Sequence, residues 1–283
     1  DALFALNRAI ALNETDFQVW YSKGLLLSYL KKHRQAISCF ECALRLNKND
    51  FNLWYLNGYE YVEIKEYEKA VKALERALRL NPKDSDAWYY KAFALSVLGR
   101  NKEALLAYDQ AIKTDPKNID LLCYKGFALC ELKRFEEATR LFAKVLKKDP
   151  KHILALMNIS ERYLVDGKLK KGISGAKKAL KIVDDDEFKI ICHYLLVSGY
   201  FLAKKDQKAF SELKELLRFR KSLAKNFKVT DWNFSPLVSV IKEKLSAQNK
   251  KILLSLIEML KGELGLKNFE SQLGEPKEKL SKK

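Results

Sequence analysis

"WYYKAFALSVLGRNKEALLAYDQAIKTDP", Trp88 to Pro116, contains no cluster of catalytic side chains, yet its large, small and turn residues stand in a fixed order. Trp88, Ala92 and Leu95 fall at i, i+4 and i+7, and Ala104, Leu105, Tyr108, Ala111 and Ile112 repeat that spacing after the polar turn "GRNK" at 99–102. Each set marks one face of a helix, so the stretch predicts two amphipathic helices folded antiparallel by a short turn. Pro116 stops the second helix. The order recurs along the chain: Trp20, Trp54 and Trp88 are 34 residues apart. So are Ala36, Ala70, Ala104 and Ala138; Ala43, Ala77 and Ala111; and Pro82, Pro116 and Pro150. Leu122 and Leu156 continue the tryptophan series, and Ala2 and Ala9 extend the alanine series backward. One hairpin cannot bury its own apolar face, so successive hairpins must stack.

This layout resembles the tetratricopeptide repeat family, with its W-x2-L-G-x2-Y…A-x3-F…A…P pattern. The clearest copies are the opening stretch, "VWYSKGLLLSYLKKHRQAISCFECALRLNKND" and "LWYLNGYEYVEIKEYEKAVKALERALRLNPKD", and the resemblance covers residues 1–183. It implies an all-α, right-handed α-solenoid of antiparallel helix pairs with a C-terminal helical cap. Small residues (Gly24, Gly58, Ala92 and Gly126 opposite the first alanine series) let two helix axes approach closely. Lys23, Lys91 and Lys125, with Asn57, depart from the family, which often has leucine there. A lysine stem can lie on apolar surface with its amine in water.

Three parts are expected. Residues 1–183 form a partial first repeat and five 34-residue repeats; 184–217 form a degenerate sixth hairpin after a three-residue insertion; 218–283 form a non-repeat helical cap and a mobile tail, "GEPKEKLSKK". Gly172 and Gly175 in the fifth copy predict either a hinge over 165–187 or a slightly kinked, rigid stack. In "TDWNFSPLVSVIKEKL", Ser235 is read as a helix cap with Pro236 at the first helical position. "KILLSLIEMLKGEL", 251–264, is the second helix of the cap.

The chain of 283 residues is 48% hydrophobic and 31% charged, enough apolar side chain for a continuous core under a solvated surface. Its longest apolar run is 14 residues and includes His193, too short to cross a bilayer. The start at Asp1, inside a repeat and without methionine, reads as a cut or processed end and leaves a lost targeting signal open. Five cysteines without a framework suit a reducing, cytoplasmic setting. Cys39 and Cys42 form a lone C-x-x-C within a helix, with no second pair at a zinc spacing, so no metal or cofactor is expected. His33, His152 and His193 stand in separate repeats, the first two in turns, and no phosphate loop or nucleophile motif exists; an enzyme is not expected.

Function is therefore expected from surfaces. In such stacks the first helices line a concave groove. Tyr21 and Leu25, Tyr55 and Tyr59, Tyr89 and Phe93, and Cys123 and Phe127 would line it, extended by Ser28, Val62, Ser96 and Cys130 at i+7. That neutral, aromatic groove suits a peptide or amphipathic helix of another protein. The lysine and asparagine clamp with which some relatives hold a carboxylate is absent, since Tyr21, Leu25 and Leu56 occupy those places. Net charge is +17, and residues 132–181 hold 14 basic against 5 acidic side chains. Lys144, Lys147, Lys148, Lys177, Lys178 and Lys181 would form a basic back for weak, salt-sensitive association with nucleic acid or an acidic protein. Self-assembly through an exposed end hairpin is a third reading.

Overall fold

The structure, a computed structural model, describes residues 2–230 and 232–273; the tail expected to be mobile, 274–283, lies outside the described residues. The described residues are helical, without strands. They divide into two compact units, one up to Leu141 and one from Phe142 on. None of their helices is long and apolar enough to cross a membrane.

The first unit begins with α1 (Ala2–Leu12), followed by the pairs α2 (Phe17–Tyr29) and α3 (His33–Leu46), α4 (Phe51–Glu63) and α5 (Tyr67–Leu80), and α6 (Ser85–Val97) and α7 (Asn101–Thr114). Then come α8 (Asp120–Glu131) and α9 (Phe135–Lys148), in which the division between the units falls. Within each of the three pairs the helices pack on each other, and each second helix packs on the next first helix. Aspartates start the first helices: Asp50 accepts from Leu53 N–H at 3.0 Å and Asp84 from Ala87 N–H at 2.7 Å. Such caps satisfy backbone donors that the helix itself cannot.

The turns inside the hairpins repeat as strictly as the helices. Lys31, Lys65, Gly99, Lys133 and Gly167 all have positive φ, between 56° and 76°. In the first of these turns Lys32 N–H donates to Leu27 O and Lys31 N–H to Ser28 O, each at 2.8 Å, which closes the helix in a Schellman motif. Between repeats, the indole N–H groups of Trp20, Trp54 and Trp88 donate to the carbonyls of Glu14, Lys48 and Pro82 at 2.8, 2.8 and 2.9 Å. Each tryptophan thus ties its helix to the connection that precedes it.

The second unit holds α10 (Ile153–Val165), α11 (Leu169–Ile182), α12 (Asp186–Leu202), α13 (Asp206–Ser222), α14 (Ser235–Lys244), α15 (Ala247–Leu260) and α16 (Leu266–Leu273). Pairs α10/α11 and α12/α13 are hairpins. The positive-φ turn residue after α12 is Lys204, 37 residues after Gly167 instead of 34, and α12 has 17 residues where earlier first helices have 12 or 13. Gly172 and Gly175 lie inside one unbroken helix: a Cβ on Gly172 would come 2.6 Å from Leu164, so this glycine permits close approach to α10. The last helices do not extend the stack. α14 lies against the first helices α10 and α12, burying Leu237, Val240 and Ile241, and Phe234 meets the Tyr194 ring edge-on at 5.0 Å. Ser235 is the first residue of α14, so the helix begins one residue earlier than expected. Phe234 occupies the cap position, and the Ser235 N–H is satisfied by Asn233 Oδ1 at 2.9 Å.

Two outcomes are expected from this packing. A Cβ on Gly58 would lie 2.6 Å from Leu74 Cγ, a branch point and not a flexible tip. Gly58→Ala should therefore destabilise the chain by about 1–2 kcal/mol in urea denaturation, the overpacking exceeding the gain in helix propensity. Glu161 on α10 is buried, and desolvation pushes its carboxyl up to about 8, with Arg162 offsetting part of that. The folded chain thus holds a proton that the unfolded chain releases from pH about 4.3. Its contribution is present below that pH and is lost as pH rises through about 8. Melting temperatures should fall between pH 5 and 8.5, and Glu161→Gln should flatten that slope.

Candidate functional site

The first helices of the first unit carry one connected set of rings. Phe51 stacks on Tyr55 at 5.8 Å between centroids; Tyr55 and Tyr59 both reach Tyr90, at 6.1 and 5.2 Å; Tyr90 meets Tyr89 at 5.0 Å. From Tyr89 the set continues to Phe93 at 6.4 Å and to Tyr124 at 4.8 Å, then from Tyr124 to Phe127 at 6.5 Å. Tyr67, the first residue of α5, closes on Phe93 at 6.2 Å. The helices place these rings together because the 34-residue step returns the same helix face in each copy.

Of the residues expected in the groove, Tyr55, Tyr59, Tyr89, Phe93 and Phe127 are in this set and half-buried. Tyr21 is not joined to it; its ring leans on Phe40 at 6.4 Å. Leu25 is exposed. Cys123 is a correction, as is Val62: both are buried, Cys123 with no exposed surface, so neither presents a side chain to a partner. Burial raises the Cys123 thiol to about 12, which keeps it protonated and unreactive. The expectation also missed Tyr90 and Tyr124, one residue after the positions counted as groove-facing. Without them the set would fall into pieces.

The charges around these rings are negative. Burial is the first cause that raises the hydroxyl of Tyr55, followed by Tyr90 and then Asp86 and Asp84; Tyr90 is pushed up to about 12 by burial, Tyr59, Asp86 and Glu63. Tyr59 is raised by burial and by Glu63. Asp86 is itself raised, by desolvation and by Asp84 and Asp115, and has no cation within ion-pair distance among the described residues. The lysines of these helices turn elsewhere: Lys91 Nζ lies 3.1 Å from Glu75 and over the Trp88 ring, and Lys125 Nζ lies 2.5 Å from Asp109. In a chain of net charge +17, this face is aromatic with carboxylates at its margin.

In the second unit Lys144, Lys147, Lys148, Lys177, Lys178 and Lys181 are all exposed. Lys177 Nζ stands 5.7 Å from the Tyr200 ring centre. His33 is not in a turn: it is the first residue of α3, with Nδ1 2.7 Å from the buried Glu60. His152 is the cap of α10, its ring accepting from Ala155 N–H at 3.3 Å. His193 pairs with Glu212 at 2.5 Å, so no two histidines share a site.

Three family models described as tetratricopeptide repeat match the chain, over residues 17–50, 55–119 and 97–158. No curated protein sequence matches it. Among solved structures it is similar to YrrB, titled a repeat protein of this type with an unusual peptide-binding site: 26% identity, TM-score 0.54, 65% of this chain and 95% of that one. It is similar to MamA at 23% identity and TM-score 0.51, over 53% of this chain and 87% of that one. A tetratricopeptide repeat protein from Parabacteroides merdae covers 90% of each chain at TM-score 0.64 and 15% identity, a likeness of fold alone.

The tyrosine environment gives a titration to measure. Ordinary tyrosine ionises near pH 10. The raised hydroxyls stay protonated in the folded chain above that, so their contribution is full below pH 10 and is lost at higher pH, that of Tyr90 as pH climbs through about 12. Absorbance at 295 nm should show Tyr55, Tyr89 and Tyr90 ionising only together with loss of helical circular dichroism.

Proposed function

The chain belongs to the tetratricopeptide repeat family, and we propose that it is a non-catalytic adaptor whose aromatic face, from Tyr55 to Phe127, binds a peptide or amphipathic helix of another protein. The observation that carries this reading is the connected ring set itself, half-buried and open on one side. Aromatic side chains of this kind supply contact area at small entropic cost, which is why they dominate binding hot spots. Three further features support it. The equivalent first helices of the second unit, α10 and α12, already hold an amphipathic helix of the same chain, α14. Asp84, Asp86 and Glu63 beside the rings favour an occupant with lysine or arginine near its apolar anchors, because a cation gains from both the carboxylates and the ring faces. The solved structure of YrrB, of similar fold, is titled for a peptide-binding site.

Selection from a displayed peptide library tests this. Recovered sequences should pair two or more large apolar residues with a basic one. The Tyr55→Ala, Tyr89→Ala double variant should bind them at least tenfold more weakly. Because those rings also pack, Asp86→Lys at an exposed position is the second variant: it should weaken basic peptides several-fold with melting unchanged. Sequences recovered equally by the wild type and both variants would sink the reading.

A second reading has its own observation. Lys144, Lys147 and Lys148, with Lys178 and Lys181, are exposed and have no ion-pair partner among the described residues, the condition for releasing counterions from a polyanion. Retention on single-stranded RNA that falls steeply between 50 and 200 mM salt, and is lost when these lysines become glutamine, is the expected result; salt-independent retention would exclude it.

A further inference from the structure

The repeats differ from one another at one place, and a pocket opens there. In the first and third pairs a lysine follows the tryptophan by three residues and spreads over it: Lys23 Nζ lies 5.5 Å from the Trp20 ring centre and Lys91 Nζ 5.4 Å from that of Trp88. Lys91 and Lys125 also reach back to an acidic residue on the preceding second helix, Glu75 and Asp109. In the middle pair the lysine is Asn57, too short to cover Trp54 or to reach the corresponding acid, Glu41. The acid is taken instead by Tyr61, which stands where Leu27 and Leu95 stand in the adjacent pairs and donates its hydroxyl to Glu41 Oε1 at 2.6 Å. The two changes compensate for the lost ion pair but not for the lost volume. What remains is a pocket of about 540 Å3 between α3, α4 and α5, with Trp54 and Asn57 in its wall.

The pocket's chemistry is uneven. Asn57 lines the pocket and is 3% exposed, and its buried Oδ1 accepts no hydrogen bond from the described residues, an acceptor that ought to be satisfied. No cation of the described residues covers Trp54. Around the opening stand Arg45, Lys48, Lys72 and Arg76, none of them within ion-pair distance of a carboxylate among the described residues. Lys69 is also there but is held by Glu66 at 2.6 Å. The one acid in the lining, Glu41, is engaged by Tyr61. An uncovered indole, a buried acceptor and four unpaired cations within one pocket ask for a ligand with a flat ring, a hydroxyl or amine donor, and several negative charges.

We propose that this pocket binds a small phosphorylated ligand bearing a planar ring, the chemistry of a nucleoside polyphosphate. Its ring packs on Trp54, a sugar hydroxyl or base amine donates to Asn57 Oδ1, and its phosphates meet Arg45, Lys48, Lys72 and Arg76. The site lies on side chains that the aromatic face does not use, so the two stand or fall separately.

Titration calorimetry of the full chain with ATP, with inorganic tripolyphosphate and with adenosine tests it at 0.1 M salt. ATP should bind with one-to-one stoichiometry at least tenfold more tightly than either fragment, and should quench Trp54 fluorescence. Asn57→Lys restores what the adjacent repeats have, an amine over the indole, and should abolish ATP binding with melting unchanged. The exposed pair Arg45→Gln, Arg76→Gln should weaken ATP at least tenfold and leave adenosine unaffected. Undetectable ATP binding at millimolar concentration, tripolyphosphate binding as tightly as ATP, or an Asn57→Lys protein that binds ATP like the wild type would each overturn the proposal.

Discussion

Everything in the hairpin stack depends on two helix axes approaching where one side has almost no side chain. Ala36, Ala70 and Ala104 have no exposed surface, and Gly24 and Gly58 lie where a single added carbon would collide with Phe40 or Leu74. Close approach of this kind excludes water and leaves well-packed contact as the source of stability. The rigid periodicity of the left-handed turn residues, the aspartate caps and the tryptophan indole bonds follows from having to meet the same contact again after every 34 residues.

A scaffold so constrained has few positions free to vary, and variation there becomes chemistry. α4, α6 and α8 gather tyrosine and phenylalanine into a connected set, while Lys91 of α6 and Lys125 of α8 are drawn backward to acids on the preceding second helix. The pairing separates hydrophobic contact from positive charge on a single helix. Where it fails, at Asn57, the structure is repaired by Tyr61 and space is left behind. In the second unit the same first-helix surface is covered by α14, which shows how apolar side chains at helical spacing complete such a face.

Most of this architecture was legible in the sequence because the repeat samples each position several times. Trp88 alone is an aromatic residue; Trp20, Trp54 and Trp88 at one step define a helix face. Legibility ended where neighbours decide. Tyr90 and Tyr124 follow the counted groove positions by one residue, and only the packing of α6 and α8 in the stack brings Tyr90 between Tyr59 and Tyr89 and Tyr124 between Tyr89 and Phe127. Cys123 has the groove spacing but is small and has no exposed surface, which spacing alone does not reveal. The Schellman geometry at Lys31, Lys65 and Lys133 carries no sequence signal, since glycine is the usual residue at positive φ and lysine is not. Asn57 was visible as a departure from the family pattern, but the pocket beside Trp54 was not, because it depends on Tyr61 engaging Glu41.

Net charge illustrates why composition alone misleads about function. At low ionic strength a protein of charge +17 repels cations at a distance, whatever its local surfaces hold. At 0.1 M salt, charges beyond about 10 Å are screened, and an approaching group senses the nearest side chains. Around Tyr55 and Tyr90 those are Asp84, Asp86 and Glu63. Around Trp54 they are Arg45, Lys48, Lys72 and Arg76. Surfaces of opposite sign therefore coexist on adjacent helices of one unit, because the helix spacing aims acids and bases in different directions. The net excess of lysine neither creates the cationic pocket nor cancels the acidic margin of the aromatic face; placement within the repeat determines both.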